Sequence, residues 1–126
     1  NKPFPCKAIW PPIKKGDKEW RNYFELCDAR EPYHYLNAGI WPFIGGLYAT
    51  ALVKTKQYKK AKLALESLAK ANLQKLQIRD MKKGYEFNEW LDGKVGKPKG
   101  EPYQAWSAGM YLYAYECSKR KKVLHF

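Results

Sequence analysis

The pattern of apolar and polar positions predicts an antiparallel pair of helices in the middle of the chain. Residues 32–53 carry no charge, and Pro42 within them suits the first turn of a helix. We therefore predict an extended loop over about 31–40 and a helix over about 41–54 that is buried on most sides. Apolar residues then recur at helical spacing opposite a lysine-rich face over about 57–76. The short connection makes these two helices a hairpin.

A third helix is predicted over about 104–120, where small residues permit close helix approach and cations occupy the last turn. Between the second and third helices lies a loop, about 77–103, dense in Gly and Pro. A loop of this length is usually functional in a compact domain.

The first 30 residues are Pro-rich, and we interpret 1–16 as irregular with a short helix over about 17–24. The predicted fold class is thus all-α. We treat residues 1–126 as one segment, with an irregular lead-in over 1–30 and a helical part over 31–126.

Composition narrows the function classes. The chain is 45% hydrophobic and 16% aromatic, enough to form a core. Its net charge of +12 comes from lysines spread along the chain without a nucleic-acid motif, so we expect no specific nucleic-acid partner. Cys6, Cys27 and Cys117 form no C-x-x-C motif; we expect buried or half-buried free thiols, no metal site, no cofactor and a cytoplasmic location.

Two further expectations concern membranes and the start of the chain. The uncharged run 32–53 contains His34, Asn37 and several glycines, so we do not expect a membrane span. The chain begins at Asn1 without an apolar leader, and we expect a processed chain or a fragment.

Candidate chemistry concentrates in the long loop, where carboxylates alternate with aromatic residues over 85–93. Sugar binding needs aromatic faces and fixed hydrogen-bonding groups. Cleavage of a glycosidic bond with inversion needs two carboxyl groups, one that protonates the leaving oxygen and one that activates water. The loop can supply one such carboxyl group between aromatic walls.

Three segments of the chain, in order, resemble motifs of the six-hairpin glycosidases. Residues 35–42 (YLNAGIWP) resemble their Y-H-N-G-G-I-W-P segment, and residues 86–90 (EFNEW) resemble their carboxylate loop. Residues 100–109 (GEPYQAWSAG) resemble the entry to their last helix. The groups concerned are the glycogen-debranching (amylo-alpha-1,6-glucosidase) enzymes, the alkaline/neutral invertases, and the mannosylglycerate and glucosylglycerate hydrolases.

The resemblance implies the C-terminal hairpins of an incomplete (α/α)6 toroid and an inverting hydrolysis of an alpha-linked glucoside-type sugar. It implies that Glu86 is the general base. The resemblance and its motifs also give a set of substrate-binding candidates. These are Tyr35, Asn37, Trp41, Glu89, Trp90, Gln104 and Trp106. For Glu89 we prefer a structural role.

The chain departs from the family pattern at Leu36, where the family usually has His, and at Ala38, where it usually has Gly. The resemblance places the general acid on an upstream Asp outside this chain, so we expect the chain alone to be catalytically incompetent. Its expected partners are a carbohydrate and the rest of the toroid, or a second copy through exposed apolar stripes. The alternative function is a non-catalytic carbohydrate-binding or assembly module.

Overall fold

Three helices dominate the computed structural model, which describes residues 2–74 and 87–125. Helix α1 spans Pro42–Lys54, α2 spans Tyr58–Asn72 and α3 spans Ala105–Arg120. Two short strands, β1 (Trp90–Leu91) and β2 (Pro98–Lys99), pair antiparallel. The described residues are mostly helical. This confirms the predicted all-α class and fits a piece of the helical toroid that the motif resemblance implies.

Helix α1 is central, because both other helices pack against it. Its start lies against the end of α2, since a Cβ at Gly45 would lie 2.9 Å from a methyl of Leu68. With the short connection over 55–57, this contact makes α1 and α2 the predicted antiparallel hairpin. Gly46 lies against Met110 near the start of α3, while Val53 shares a small cavity with Lys121 at its end. Helix α3 therefore runs parallel to α1.

The core between the helices consists of small and branched side chains. Its buried members are Ala49, Leu52, Val53, Ala61, Ala64, Leu65, Ala114 and Cys117. The α2 members fall on the predicted apolar face, opposite the exposed lysines. Burial of α1 is also largely as predicted, although Leu47 and Ala51 face outward.

The boundaries of two predicted elements differ from the structure. The short helix predicted over 17–24 is wrong, and a 3-10 helix at Asn22–Leu26 replaces it. The physical reason is a turn just before it, where Gly16 has φ +98° and the Asp17 carboxylate accepts the backbone N–H of Lys14 at 2.7 Å. Helix α2 ends at Asn72 rather than near 76, and residues 75–86 lie outside the described part.

The loop predicted over 77–103 contains the β1–β2 hairpin, which the sequence pattern did not indicate. Strands of two residues are too short for alternation to be visible. A turn from Asp92 to Gly96 joins them, and Gly96 takes φ +75°, which favours glycine. The Asp92 side chain stabilises this turn, because it accepts the backbone N–H groups of Lys94 and Val95.

The cysteines are all free, as expected. Cys117 is buried. Cys6 is half-buried, and this burial raises the pKa of the Cys6 thiol. Cys27 is exposed on the surface beside the 3-10 helices, so the expectation of burial is wrong for that thiol. Within the described ranges, no helix combines the length and apolar character that a membrane crossing requires.

Candidate functional site

A backbone ladder brings together three segments that are distant in the sequence. Ile40 exchanges two hydrogen bonds of 2.8 Å with Leu91 of β1. On its other side Ile40 pairs with Lys7, and the backbone N–H of Trp41 donates to the Cys6 carbonyl at 3.1 Å. The irregular N-terminal segment therefore joins the site. Sequence reasoning missed this role, because no alternating pattern marks so short a pairing.

An aromatic cluster lies where these segments meet. The Tyr35 ring makes edge contacts with Trp41 at 5.1 Å and with Trp90 at 6.1 Å between centroids. The Trp41 indole N–H donates to the Tyr35 carbonyl at 3.0 Å, and the His34 ring lies 5.5 Å from Trp90. The cluster thus unites three residues that the sequence assigned to sugar binding, from two separate motifs. Edge and tilted packing of this kind fixes ring orientations.

An acid–imidazole pair borders the cluster. His34 Nε2 lies 3.2 Å from Asp92 Oδ2, with both side chains largely buried. Burial alone would raise the pKa of Asp92, but the backbone N–H groups of Val95 and Lys94, together with His34, lower it below its usual value. Asp92 is therefore held as a carboxylate. Its proximity to His34 could not be predicted from the sequence, which gives no register between the two segments.

A second carboxylate, that of Glu89, lies beside the Trp90 indole at Gly100. Glu89 Oε2 accepts the backbone N–H of Glu101 at 3.2 Å. A Cβ at Gly100, which has φ +67°, would lie 2.6 Å from that same oxygen and 2.7 Å from the indole nitrogen of Trp90. Trp90 is only 2% exposed, and its indole N–H has no hydrogen-bond acceptor among the described residues. Gly100 thus makes room for a carboxylate beside a buried donor.

The first turn of α3 anchors the other side of this loop. The backbone N–H of Gln104 donates to the Phe87 carbonyl at 2.7 Å, and the buried Ser107 hydroxyl donates to the Asn88 carbonyl at 3.2 Å. Gln104 is half-buried, whereas Trp106 is 49% exposed and faces outward from the described residues. Gln104 is therefore hydrogen-bonded to the carboxylate loop through its backbone, whereas the Trp106 ring is accessible from outside.

Asn37 has a different environment from the other candidates. Its side-chain amide is fully buried, accepts the backbone N–H of Ile13 at 2.7 Å and donates to the carbonyls of Ile13 and Ala29 at 2.8 and 3.0 Å. These bonds tie the aromatic loop to the N-terminal segment. We expect Asn37 to position that loop rather than to contact a ligand.

The two departures from the family pattern have different surroundings. Leu36 is 43% exposed, so its apolar side chain stands at the surface of the loop. Ala38 is fully buried with φ +67°, a backbone region that favours glycine. A Cβ at Gly93 would overlap the Ala38 carbonyl oxygen, so these two segments of the chain are in backbone contact here. Glycine at position 38 in the family motif suits this conformation.

Glu86, the predicted general base, lies outside the described residues, as does Tyr85. Of the site residues predicted from the sequence, the structure brings together Tyr35, Trp41 and Trp90, with Glu89 adjacent to Trp90. Among residues 2–74 and 87–125, no group of three or more potential metal ligands is assembled.

Comparison with known proteins then identifies the family. The model of the family described as alkaline and neutral invertase matches residues 2–120. The chain belongs to the alkaline and neutral invertase family. This membership confirms the predicted relationship to a glycoside hydrolase family, while the debranching-enzyme and mannosylglycerate-hydrolase resemblances stay expectations.

Two curated members of the alkaline and neutral invertase family are similar to this chain. Cytosolic invertase 1 of Oryza sativa subsp. japonica is 32% identical over 114 residues, which cover 87% of this chain and 18% of the relative. Probable alkaline/neutral invertase D of Arabidopsis thaliana is 33% identical over 114 residues, covering 87% and 19%. The chain thus spans about a fifth of the length of these invertases.

Proposed function

We propose that this chain is the C-terminal part of an inverting glycoside hydrolase of invertase type, acting on an alpha-linked glucoside. Its part of the catalytic centre supplies the general base and aromatic sugar-binding faces. The single observation that carries the proposal is the cluster of Tyr35, Trp41 and Trp90 beside the Glu89 carboxylate. Family membership supports the reaction class.

The chemistry suits that arrangement. The apolar face of a sugar ring stacks on aromatic side chains, and its hydroxyls need fixed donors and acceptors. Inversion needs a carboxylate that takes a proton from water while a second carboxyl group protonates the leaving oxygen, roughly 6.5–9.5 Å away. We propose that the second group lies on polypeptide outside this chain, which spans about a fifth of its relatives.

Two residues compete for the role of general base. Glu86 is the residue that matches the family motif, and Phe87, its neighbour in sequence, is fixed by the bond from Gln104. Glu89 is supported by its place beside Trp90 and Gly100. We keep Glu86 as the proposed base and Glu89 as a binding or supporting acid. The experiment below separates the two.

The test uses the full-length parent protein with alpha-linked glucosides, sucrose included. Glu86→Gln should lower kcat by roughly 10²–10⁴-fold with folding intact, because an amide cannot take the proton. Glu89→Gln should chiefly weaken sugar binding, and exposed Glu19→Gln serves as the matched control. NMR of the first-formed product should show an inverted anomeric centre. Near-normal turnover by the Glu86 variant, with a large loss in the Glu89 variant, would transfer the role to Glu89.

A second candidate function is a carbohydrate-binding or assembly module without catalysis. The observation that favours it is Leu36, an exposed apolar residue where the family usually has a polar one. Calorimetry with the same glucosides would decide between them. Saturable binding by a parent protein that releases no product over long incubation would support the module and reject the hydrolase.

We also propose a cytoplasmic location, on the ground that one relative is named a cytosolic invertase. Fractionation of cells that express the parent protein at its native level tests this. Recovery in a secreted or organellar fraction would contradict it.

A further inference from the structure

His34 is a largely buried polar side chain that has no part in the proposed chemistry. Its Nε2 lies 3.2 Å from Asp92 Oδ2 in the β1–β2 turn, and its ring lies 5.5 Å from that of Trp90. Because a carboxylate only accepts hydrogen bonds, Nε2 carries a proton and donates this bond to Asp92. His34 therefore links the aromatic loop, residues 33–41, to the turn that follows β1.

The backbone around His34 takes a conformation that non-glycine residues rarely adopt. Tyr33, Tyr35 and Ala38 have φ of +72°, +45° and +67°, all in the left-handed region. Residues held in this region are strained and keep the conformation only where surrounding contacts enforce it. Because the Tyr35 ring belongs to the aromatic cluster, relaxation of this backbone would move that ring away from its partners.

Contacts inside the loop and from the β1–β2 turn enforce the conformation. Inside the loop, the backbone N–H of Tyr33 donates to the Asn37 carbonyl at 2.7 Å, and that of Asn37 donates to the His34 carbonyl at 2.8 Å. From the turn, the backbone N–H of Gly93 donates to the Tyr33 carbonyl at 2.8 Å, while Asp92 accepts from the His34 ring. Two consecutive turn residues thus hold the loop, one through backbone and one through its side chain.

We propose that His34 is a positioning residue that, through its bond to Asp92, holds the aromatic loop in its sugar-binding conformation. This role rests on the proposed function, because it takes the aromatic cluster as the face that meets the sugar. It requires no contact between His34 and the sugar. Loss of the bond should therefore weaken sugar binding and leave the proton-transfer chemistry almost unchanged.

Two amide substitutions form a matched pair for the test. The amide nitrogen of Gln is separated from Cα by as many bonds as Nε2 of His, so His34→Gln keeps a donor within reach of Asp92. The amide of Asn is one bond shorter, so His34→Asn keeps the polarity but loses the reach. His34→Leu removes the donor altogether. His125→Leu, at an exposed position near the end of the chain, is the control.

The kinetic measurement uses the full-length parent protein with sucrose. His34→Leu and His34→Asn should raise KM by about tenfold while kcat falls by less than about threefold, because binding geometry is lost and the reacting groups are not. His34→Gln should keep KM within about threefold of the wild-type value, as should His125→Leu. In the Asp92→Asn background, His34→Leu should raise KM by less than about threefold, because the two residues act through one bond.

Hydrogen exchange reads the loop position without reference to activity. In the sugar-free parent protein, backbone amides of residues 33–41 should exchange faster in the Leu and Asn variants than in the wild type, because the loop opens more often. The Gln variant should exchange as the wild type does. Amides of α3 should exchange alike in all four proteins, which controls for a general loss of stability.

Several outcomes would overturn the positioning role. One is a wild-type KM in the Leu variant, with unchanged exchange over residues 33–41. Equal effects of Gln and Asn would show that the bond to Asp92 is not what matters, and a fall in kcat larger than the rise in KM would place His34 in the chemical step. A parent protein that neither binds nor cleaves alpha-linked glucosides would instead overturn the proposed function, and exchange would still show whether His34 holds the loop.

Discussion

Asp92 organises the β1–β2 turn through a carboxylate with several partners. It accepts the backbone N–H groups of Lys94 and Val95 at 2.8 and 2.9 Å and lies 3.2 Å from His34. Its lowered pKa means that the folded state favours the ionised form more than the unfolded state does. Stability from this group is therefore present above the ordinary Asp pKa and is lost as the pH falls through the lowered one.

Asp92→Asn should reduce the free energy of unfolding by about 1–2 kcal/mol at neutral pH, because charge-assisted hydrogen bonds are lost. The deficit should shrink as the pH falls from about 5 towards the lowered pKa, since the wild-type residue then becomes neutral as well. Urea unfolding at several pH values measures it.

The control for this prediction is Asp17→Asn, because Asp17 also accepts a backbone N–H but is exposed. Its effect should be smaller at every pH. A deficit of the Asp92 variant that stays constant or grows on acidification would contradict the assigned role.

For individual residues, the sequence motifs identified candidates for the site better than they predicted which groups those residues contact. Motif resemblance placed Tyr35, Trp41 and Trp90 in the site, and their rings do meet. It also selected Asn37, whose buried amide bonds instead to Ile13 and Ala29. Those partners depend on how the first 30 residues fold back, and a local pattern carries no such information.

Two glycines on neighbouring helices show why element packing is specific. A Cβ at Gly46 of α1 would lie 2.9 Å from the Met110 carbonyl oxygen of α3, so glycine allows the two backbones to approach. At Gly109 of α3 an added Cβ would meet nothing within 4 Å in the described structure.

The same substitution should therefore have opposite effects on the two helices. Gly46→Ala should lower stability by about 1–3 kcal/mol, because backbone atoms must shift to relieve overpacking. Gly109→Ala should raise stability by up to about 1 kcal/mol, since alanine favours helix and meets no obstacle. Chemical unfolding of both variants measures the pair. Stabilisation by Gly46→Ala would show that the helices do not approach as described.

The three helices were predicted within a few residues, but from different signals: an uncharged run for α1, a periodic apolar face for α2, and small residues with terminal cations for α3. Pro42 begins α1, and the cations of 119–122 end α3. The β1–β2 hairpin was missed because its two strands owe their pairing to the Asp92 turn and to the contact with Ile40 rather than to their own pattern.

For the molecule as a whole, the outer face of α3 is unusually apolar for a surface. Leu112 is 61% and Trp106 49% exposed, and they flank the open space at Gly109. Such a face is compatible with the expected contact with another polypeptide, which stays a prediction. Trp106 and Leu112 are the residues of α3 that fit the expected apolar stripe.

We expect the 126-residue chain to self-associate through this face. Association should increase with salt, because salt screens the repulsion between molecules of net charge +12. Leu112→Glu should reduce it, whereas Leu26→Glu, at a position 87% exposed on the 3-10 helix, should not. Sedimentation velocity measures this. A wild-type chain that stays monomeric at all salt concentrations would contradict the expectation.

The parallel arrangement of α1 and α3 also has a kinetic consequence. The α1–α2 hairpin closes through a connection of a few residues, so it can form early and locally. Helix α3 reaches its place beside Gly46 only after the whole intervening chain has been looped back, at a larger cost in chain entropy. The aromatic cluster, whose partner Trp90 lies in that returning stretch, is therefore assembled late, and its appearance should mark the end of folding.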